Sequence, residues 1–306
     1  SLFDVKTILG TEGVDEQTVS QATELAANRF LKWKPGATLE AAAAVPLTGG
    51  ENGTVNGADH QAYLDKAETY AFNTMGVAVT DDATKALYTA YNRRMRDEMG
   101  VKFQLVLYNY AKADYMGVIS VNNKVLDEGE GEAGLVYWVT GASAGCAVNR
   151  SNQNRRYDGC FTVDTPYTQN QLKAAINDGK FTFHLVGADV RVLEDVNTMV
   201  TVSDTMGDVF KDNQTIRVID QIGNDIATLF NTKYLGVVPN DAAGRISLWS
   251  DIVKHHEQLQ EVRAIEDFSD ADVTVAQGET KKSVVVTDSV TVVNAMGRLY
   301  MTVTVA

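Results

Sequence analysis

The C-terminal end of the chain is the feature that most limits how the chain can fold. Residues 299–305 alternate between apolar and polar side chains, and this period of two predicts a β-strand. Its apolar members, which would face one side, are Leu299, Met301, Val303 and Val305. A strand this near the end of the sequence has an open edge. We therefore expect it to pair within its own sheet or with another molecule.

A long amphipathic helix is predicted before this strand, over residues 241–263. Asn240 or Asp241 can cap its first turn, because an Asn or Asp side-chain oxygen accepts a hydrogen bond from a free N–H group there. The apolar positions at helical spacing, which would face inward, are Ile246, Trp249, Ile252, Val253, Leu259 and Val262. After this helix the sequence predicts strands almost to its last residue, with a polar linker at 277–283 that we expect to be flexible.

Helical and β-strand patterns alternate through the rest of the chain, which is typical of an α/β arrangement. The predicted helices cover residues 58–70, 82–98, 131–148, 167–177 and 213–230. Residues 80–82, with Asp81, are predicted to cap the second of these helices, and the fourth is predicted to begin at Thr168. The predicted strands cover residues 72–79, 101–108 and 116–121, followed by a hairpin of 180–186 and 190–194 around Gly187, Ala188 and Asp189.

These patterns together predict a multidomain α+β fold. We place a short-strand segment associated with an outer domain at 1–48 and an α/β middle domain at 49–157. A C-terminal α+β domain that ends in β-strands follows at 158–306.

The formal net charge of −13 limits the partners of the chain. Since neutralisation of phosphate dominates nucleic-acid affinity, an acidic surface argues against DNA or RNA as a partner. No apolar run reaches the roughly 18–20 residues of a membrane helix, so we expect no membrane insertion. The sequence begins at Ser1 without a signal segment, and we interpret it as a fragment of a longer protein. Cys146 and Cys160 lack metal-ligand spacing and are predicted to be thiols in a reducing compartment.

Motifs for catalysis or ligand binding are weak in this sequence. The Gly-rich stretch 47–57 lacks the ending of a phosphate loop, and the acidic stretch 127–132 lacks the ligand order of a calcium loop. His255 and His256 are adjacent and point about 100° apart on a helix, so they cannot chelate one metal ion together, and we expect both at a surface or an interface. The stretch 141–145 is predicted to be a close helix contact. We therefore expect no enzymatic activity, no metal site and no cofactor.

Several longer segments of the sequence together resemble a known protein family, although no single motif does so. They are residues 190–198, 216–226, 233–245 and 295–301. In this order they resemble the tail sheath protein of contractile phage tails, of the type found in myophages and defective prophages of Gram-positive bacteria. The resemblance covers the chain from about residue 47 onward and is densest after residue 185.

The resemblance implies a structural protein that stacks as six-fold rings around a rigid tail tube. Its implied partners are further copies of itself, the tube protein, the baseplate and the tail terminator. Such a sheath is assembled in the host bacterial cytoplasm, forms part of the virion tail, and contracts to drive the tube through the cell envelope for DNA ejection. Family members exchange terminal strands into a shared sheet on an inner domain, which corresponds here to residues 158–306. Leu299, Met301, Val303 and Val305 would then fill the core of a neighbouring subunit.

The resemblance also implies a helix that contacts the tube, and the predicted helix 241–263 fits this role. Its positive groups, the candidate tube contacts, are Arg245, Lys254, His255 and Arg263. Family members carry an N-terminal arm that this sequence lacks. We therefore expect the fragment to be monomeric and to form no sheath by itself.

Two alternatives stay open on the sequence. The middle block is compatible with an α/β enzyme that binds a nucleotide or a metabolite. Such an enzyme would have a pocket with convergent polar groups at the C-terminal ends of its strands. The chain is also compatible with the sheath of an R-type bacteriocin, which uses the same mechanism.

Overall fold

A computed structural model describes residues 53–305 of the chain. The short-strand segment predicted at 1–48, and the first residues of the Gly-rich stretch, lie outside the described residues. The described part from Asn56 onward forms one unit. Its mixture of helices and strands confirms the predicted α+β class.

The elements are numbered from the N-terminal end of the described part. The helices are α1 (Gly57–Ala67), α2 (Asp82–Arg93), α3 (Leu135–Ala144), α4 (Gln169–Asn177), α5 (Asn213–Leu229) and α6 (Ala242–Glu261). The strands are β1 (Thr74–Val77), β2 (Gln104–Tyr108), β3 (Val118–Val121), β4 (Lys180–Phe181), β5 (Phe183–Val186), β6 (Asp189–Val192), β7 (Ile265–Glu266), β8 (Val273–Gln277), β9 (Val284–Asp288) and β10 (Thr291–Val292). Each predicted helix that lies among the described residues is confirmed, and most end earlier than predicted.

Side-chain caps explain where four of these helices begin. Asp81, Thr168, Asp212 and Asp241 each accept a hydrogen bond from a backbone N–H of the first turn that follows. Such a bond satisfies a donor that has no partner within the helix. The predicted caps at Asp81, Thr168 and Asp241 are therefore confirmed.

Strands β1, β2, β3 and β4 form one parallel sheet in that order. Every residue of β2 and β3 is buried, as expected for a parallel sheet that is covered on both faces. Leu105 and Leu107 of β2 belong to a core with Tyr91 of α2, whereas Val106 belongs to a second core with Val139 of α3. The alternation of side chains along β2 thus separates two cores, one on each face of the sheet.

The parallel sheet continues past the domain boundary predicted between residues 157 and 158. Strand β4 pairs in parallel with β3, and Phe181 and Phe183 are fully buried in the core that contains Val106. These two aromatic rings complete the apolar packing on that face of the sheet. The segments predicted as 49–157 and 158–306 therefore share this sheet.

The predicted hairpin of β5 and β6 is confirmed, with a shorter loop than expected. Val186 pairs with Asp189, which leaves Gly187 and Ala188 as the loop. Gly187 has a φ of 63°. Glycine adopts this backbone conformation without the steric cost of a Cβ atom, and two-residue hairpin loops require it.

The last strands pack on α6. The hairpin of β8 and β9 contributes Val273 to a core that includes Ile252 of the helix. The segment 277–283, which was predicted to be a polar linker, is the loop of this hairpin, with Gln277 as the last residue of β8. The N–H of Gly278 donates to the carbonyl of Ser283 at 2.9 Å and closes the loop.

Candidate functional site

The last residues of the chain, 299–305, are exposed, and we call them the arm. The side chains of Leu299, Met301, Val303 and Val305 are 86%, 76%, 72% and 90% exposed, respectively. The predicted strand is not formed, because the arm pairs with no other strand among the described residues. An alternating pattern sets which side chains share a face, but a strand also needs a hydrogen-bonded neighbour. The arm therefore leaves both its backbone groups and its apolar side chains available to a partner.

Residues 293–298, which we call the root of the arm, are held against the folded part. The N–H of Val293 donates to the carbonyl of Ala264 at 3.0 Å, which continues the pairing of β10 with β7. The side chain of Gln214 forms hydrogen bonds with the backbone of Val293 and Ala295. The root thus differs from the arm, since its backbone already has partners within the chain.

The four candidate tube contacts do not share one face. Arg245 is half-buried, and its Nη1 donates to a backbone carbonyl at 3.1 Å. At about 3.6 residues per turn, Lys254 lies roughly 180° around α6 from Arg245. His255 is half-buried beside Asp225, and Arg263 follows the end of the helix. Of the four residues, Lys254 is the one on the exposed face of α6. The role of all four at a tube stays a prediction.

The adjacent histidines of α6 have different neighbours, as their helical geometry predicted. His255 Nε2 lies 3.0 Å from a carboxylate oxygen of Asp225 on α5. His256 is fully buried, so the expectation that both histidines lie at a surface is wrong for this one. Its Nδ1 lies 2.8 Å from the carbonyl oxygen of Ile252, and its Nε2 lies 2.8 Å from Asp288 of β9. Because both neighbours are acceptors, only a doubly protonated ring donates to both.

The stability of the chain is expected to fall as the pH rises above the range in which His256 is charged. Burial disfavours the charged ring, but the hydrogen bonds with Asp288 and Ile252 outweigh burial and raise the pKa of His256 above its ordinary value. Such a group stabilises fully below its unfolded pKa of about 6.5 and loses this contribution as the pH rises through the folded pKa. Urea unfolding at about pH 6 and about pH 9 measures the difference in the free energy of unfolding.

The Asp288→Asn variant tests the contact between His256 and Asp288. Its free energy of unfolding at about pH 6 is expected to be about 1.5–3 kcal/mol below that of the wild type, and its dependence on pH should flatten. The Asp204→Asn variant, which makes the same substitution at an exposed position elsewhere in the chain, is the matched control and should keep the wild-type slope. An unchanged slope in Asp288→Asn would contradict the assignment.

Two buried ion pairs join the region of the sheet to α5, and the sequence analysis missed both. Arg96 donates to the carboxylate of Asp220 at 2.5 and 2.6 Å, and the two side chains are 1% and 10% exposed. Arg217 donates to Asp195 at 2.8 Å, and the same carboxylate accepts the N–H of Asn152 at 2.8 Å. The partners of the first pair lie 124 residues apart, so no local pattern marks them.

A cavity of about 320 Å³ lies beside these ion pairs. Its lining includes Thr74 and Gln104, which begin β1 and β2, together with Arg217 and Asp220 of α5. The cavity therefore lies at the N-terminal ends of these parallel strands, whereas α/β enzymes bind their ligands at the C-terminal ends. It gives the enzyme alternative no support.

The remaining motifs named in the sequence analysis either make contacts within the fold or make no close contact. Asp127 of the acidic stretch accepts hydrogen bonds from the N–H and the hydroxyl of Thr162 at 2.6 and 2.9 Å. A Cβ atom on Gly141 would meet nothing within 4 Å, so the predicted close contact is wrong at this glycine. Cys146 and Cys160 are free thiols. In residues 53–305, no group of three His, Cys, Asp or Glu is placed to hold a metal ion, and no helix has the length and apolarity to cross a membrane.

Comparison with known proteins gives consistent matches along the chain. Residues 53–198 match the phage tail sheath protein central domain, and residues 205–306 match the phage tail sheath C-terminal domain. The phage-like element PBSX protein XkdK of Bacillus subtilis is 30% identical over 99% of the chain and 72% of its own length.

Two solved structures have a similar fold. The sheath tail protein of Desulfitobacterium hafniense has a TM-score of 0.69 and 38% identity over 79% of the chain. The sheath tail protein Lin1278 of Listeria innocua has a TM-score of 0.73 and 28% identity over 85% of the chain. The chain spans 58% and 62% of these two proteins, which is less than two thirds of their length.

Proposed function

The chain belongs to the phage tail sheath protein family, and we propose that it is a structural subunit of a contractile tail sheath. In this proposal the subunits polymerise around a tail tube, and their contraction drives the tube through a cell envelope. The partners are further copies of the chain, the tube protein, and the baseplate and terminator proteins of the tail. The chain is then part of a virion tail that is assembled in the host cytoplasm, and its function is mechanical rather than catalytic.

The observation that carries the proposal is the exposed arm. Strand addition to another sheet requires free N–H and C=O groups and alternate side chains that the partner can bury. The arm offers both, because its apolar side chains stand at alternate positions of the sequence and are exposed. Each net hydrogen bond contributes about 0.5–1.5 kcal/mol, and each buried apolar side chain about 1.5–3 kcal/mol. Several kcal/mol at each subunit contact, repeated through an assembly, suffice to hold neighbours together.

The hairpin of β8 and β9 is the proposed acceptor of a neighbour's arm. Among the described residues, these two strands pair with each other and with no third strand. Each strand therefore has an outer edge with N–H and C=O groups that a further strand can use. Val285 and Val286 of β9 are 50% and 37% exposed, so apolar surface is present beside that edge.

The exposed face of α6 is the proposed contact with the tube. Ile246, which was predicted to face inward, is 63% exposed and lies on this face with Lys254, Glu257 and Glu261. Because the face carries charges of both signs, a complementary pattern on the tube would set the register between the two proteins. Arg245 and His255, by contrast, bind neighbouring parts of the same chain.

Contraction needs no cofactor in this proposal. The energy for contraction is the difference in free energy between two packings of the same subunits. A trigger converts the less stable packing into the more stable one. Arms that stay paired while the subunits move would keep each subunit connected to its neighbours.

Electron microscopy of the intact gene product, produced together with its tube protein, tests the proposal. We expect sheathed tubes in an extended or a contracted form. A product that stays monomeric under conditions in which the tube itself assembles would overturn the proposal.

A further inference from the structure

The side chain of Gln214 forms two hydrogen bonds with the backbone of the root. Its Nε2 donates to the carbonyl of Val293 at 3.0 Å, and its Oε1 accepts the N–H of Ala295 at 2.9 Å. A residue of a neighbouring parallel strand would bond in the same way, to the carbonyl of one residue and the N–H two positions later. The amide of Gln214 thus occupies the place of a paired strand at this point of the chain.

The position of Gln214 makes this contact well defined. Gln214 lies in the first turn of α5, two residues after the cap residue Asp212, and is 1% exposed. Turning the amide over would place its oxygen against the carbonyl of Val293 and its NH₂ against the N–H of Ala295. Both bonds would then be lost, so the buried side chain has one favourable orientation.

The other contacts of the root are weaker or more exposed. Asn294 Nδ2 donates to Thr215 Oγ1 at 3.1 Å, next to the Gln214 contact. Arg298 pairs with Glu194 at 2.9 Å, but the Arg298 side chain is 63% exposed, and exposed ion pairs contribute little. Together with the backbone bond between Val293 and Ala264, Gln214 therefore provides the buried attachment of the root, and it is the side chain that does so.

We propose that Gln214 is a positioning residue that fixes the root, so that residues 299–305 are the part of the chain that leaves for a neighbouring copy. This inference rests on the proposed function, because it concerns the same arm. A free segment of this length reaches roughly 25 Å when fully extended. The fixed root confines the arm to a sheet edge within that distance and directs it toward that edge.

Hydrogen exchange of the chain tests the attachment directly. In the Gln214→Met variant, a side chain of similar length has neither the donor nor the acceptor. Exchange of the amides of Val293 and Ala295, which donate hydrogen bonds in the root, is expected to rise about tenfold or more. The Gln221→Met variant, two turns later on the same helix at an exposed position, is the matched control and should exchange as the wild type does. Equal protection of the Val293 and Ala295 amides in the wild type and in Gln214→Met would overturn the proposal.

The Gln214→Glu variant separates hydrogen bonding from packing. A neutral carboxylic acid can donate to Val293 and accept from Ala295 as the amide does, whereas a carboxylate cannot donate. Burial and the neighbouring carboxylate of Asp212 raise the pKa of the introduced group above the usual value of about 4.3. Protection of the root is expected to be near that of the wild type at about pH 5 and to be lost at about pH 8. A purely packing role for residue 214 predicts no such dependence, so protection that does not change with pH would also overturn the proposal.

Sheath assembly by the intact gene product tests the functional role of Gln214. With Gln214→Met, sheathed tubes should be at least tenfold fewer than with the wild type or with Gln221→Met. Normal assembly of the Gln214→Met variant despite a released root would overturn the positioning role. If the wild type itself formed no sheath, the proposed function would fail, and the exchange experiment would still decide whether Gln214 holds the root.

Discussion

Replacing Met301 and Val303 with Asp in the intact gene product is expected to abolish sheath assembly. Both side chains lie on the apolar side of the arm and are exposed in the isolated chain. In a shared sheet they would enter the partner's core, where each apolar side chain contributes about 1.5–3 kcal/mol and an unpaired carboxylate costs more than that. Electron microscopy and sedimentation measure the loss of assembly.

The matched control changes Thr302 and Thr304 to Asp instead. It adds the same charge over the same segment, but on the opposite side of the extended backbone. We expect this variant to assemble, and we expect the melting temperature of both variants to stay near that of the wild type, since the arm is exposed. If the two pairs of substitutions impaired assembly equally, the alternation of the arm would have no role in binding.

Replacing Arg96 with Met is expected to lower the free energy of unfolding by about 3–5 kcal/mol. The substitution leaves the buried carboxylate of Asp220 without its partner and removes a hydrogen bond at 2.8 Å to the carbonyl of Phe103. For a chain of this size, such a loss corresponds to a fall in melting temperature of roughly 5–10 °C. Urea unfolding and calorimetry of the chain measure both quantities.

A second substitution tests the physical reason for this loss. When Asp220→Leu is added to Arg96→Met, no buried charge remains, and apolar replacements of a buried ion pair are often close to neutral. The double variant is therefore expected to recover most of the lost stability. If it were as unstable as the sum of the two single variants, the coupling between Arg96 and Asp220 would be refuted.

Local patterns predicted the elements well, because their causes lie within a few residues. The cap at Thr168 depends on the backbone of the turn that follows, and the hairpin near Gly187 depends on two alternating runs around a glycine. The alternation of the arm likewise showed which of its side chains share a side. Each of these patterns can be recognised without knowing what the segment contacts.

Contacts between distant segments were not predictable in this way. Residues 180–186 were predicted as a single strand of a hairpin, whereas the structure places β4 in the parallel sheet, where its position depends on the burial of Phe181. Nothing near His256 indicates that Asp288 will meet it in the interior. In the candidate site, the sequence identified the apolar side chains of the arm but missed Gln214, which acts on a segment about 80 residues away.

The buried ion pairs have a mechanical consequence. Arg96 and Asp195 belong to the part that matches the central sheath domain, and Asp220 and Arg217 belong to the part that matches the C-terminal domain. Separating the two parts would expose these charges or leave them unpaired in the interior, which is costly. Each subunit should therefore transmit force as a rigid body. Elastic deformation of the assembly should be concentrated in the arms that connect neighbouring subunits.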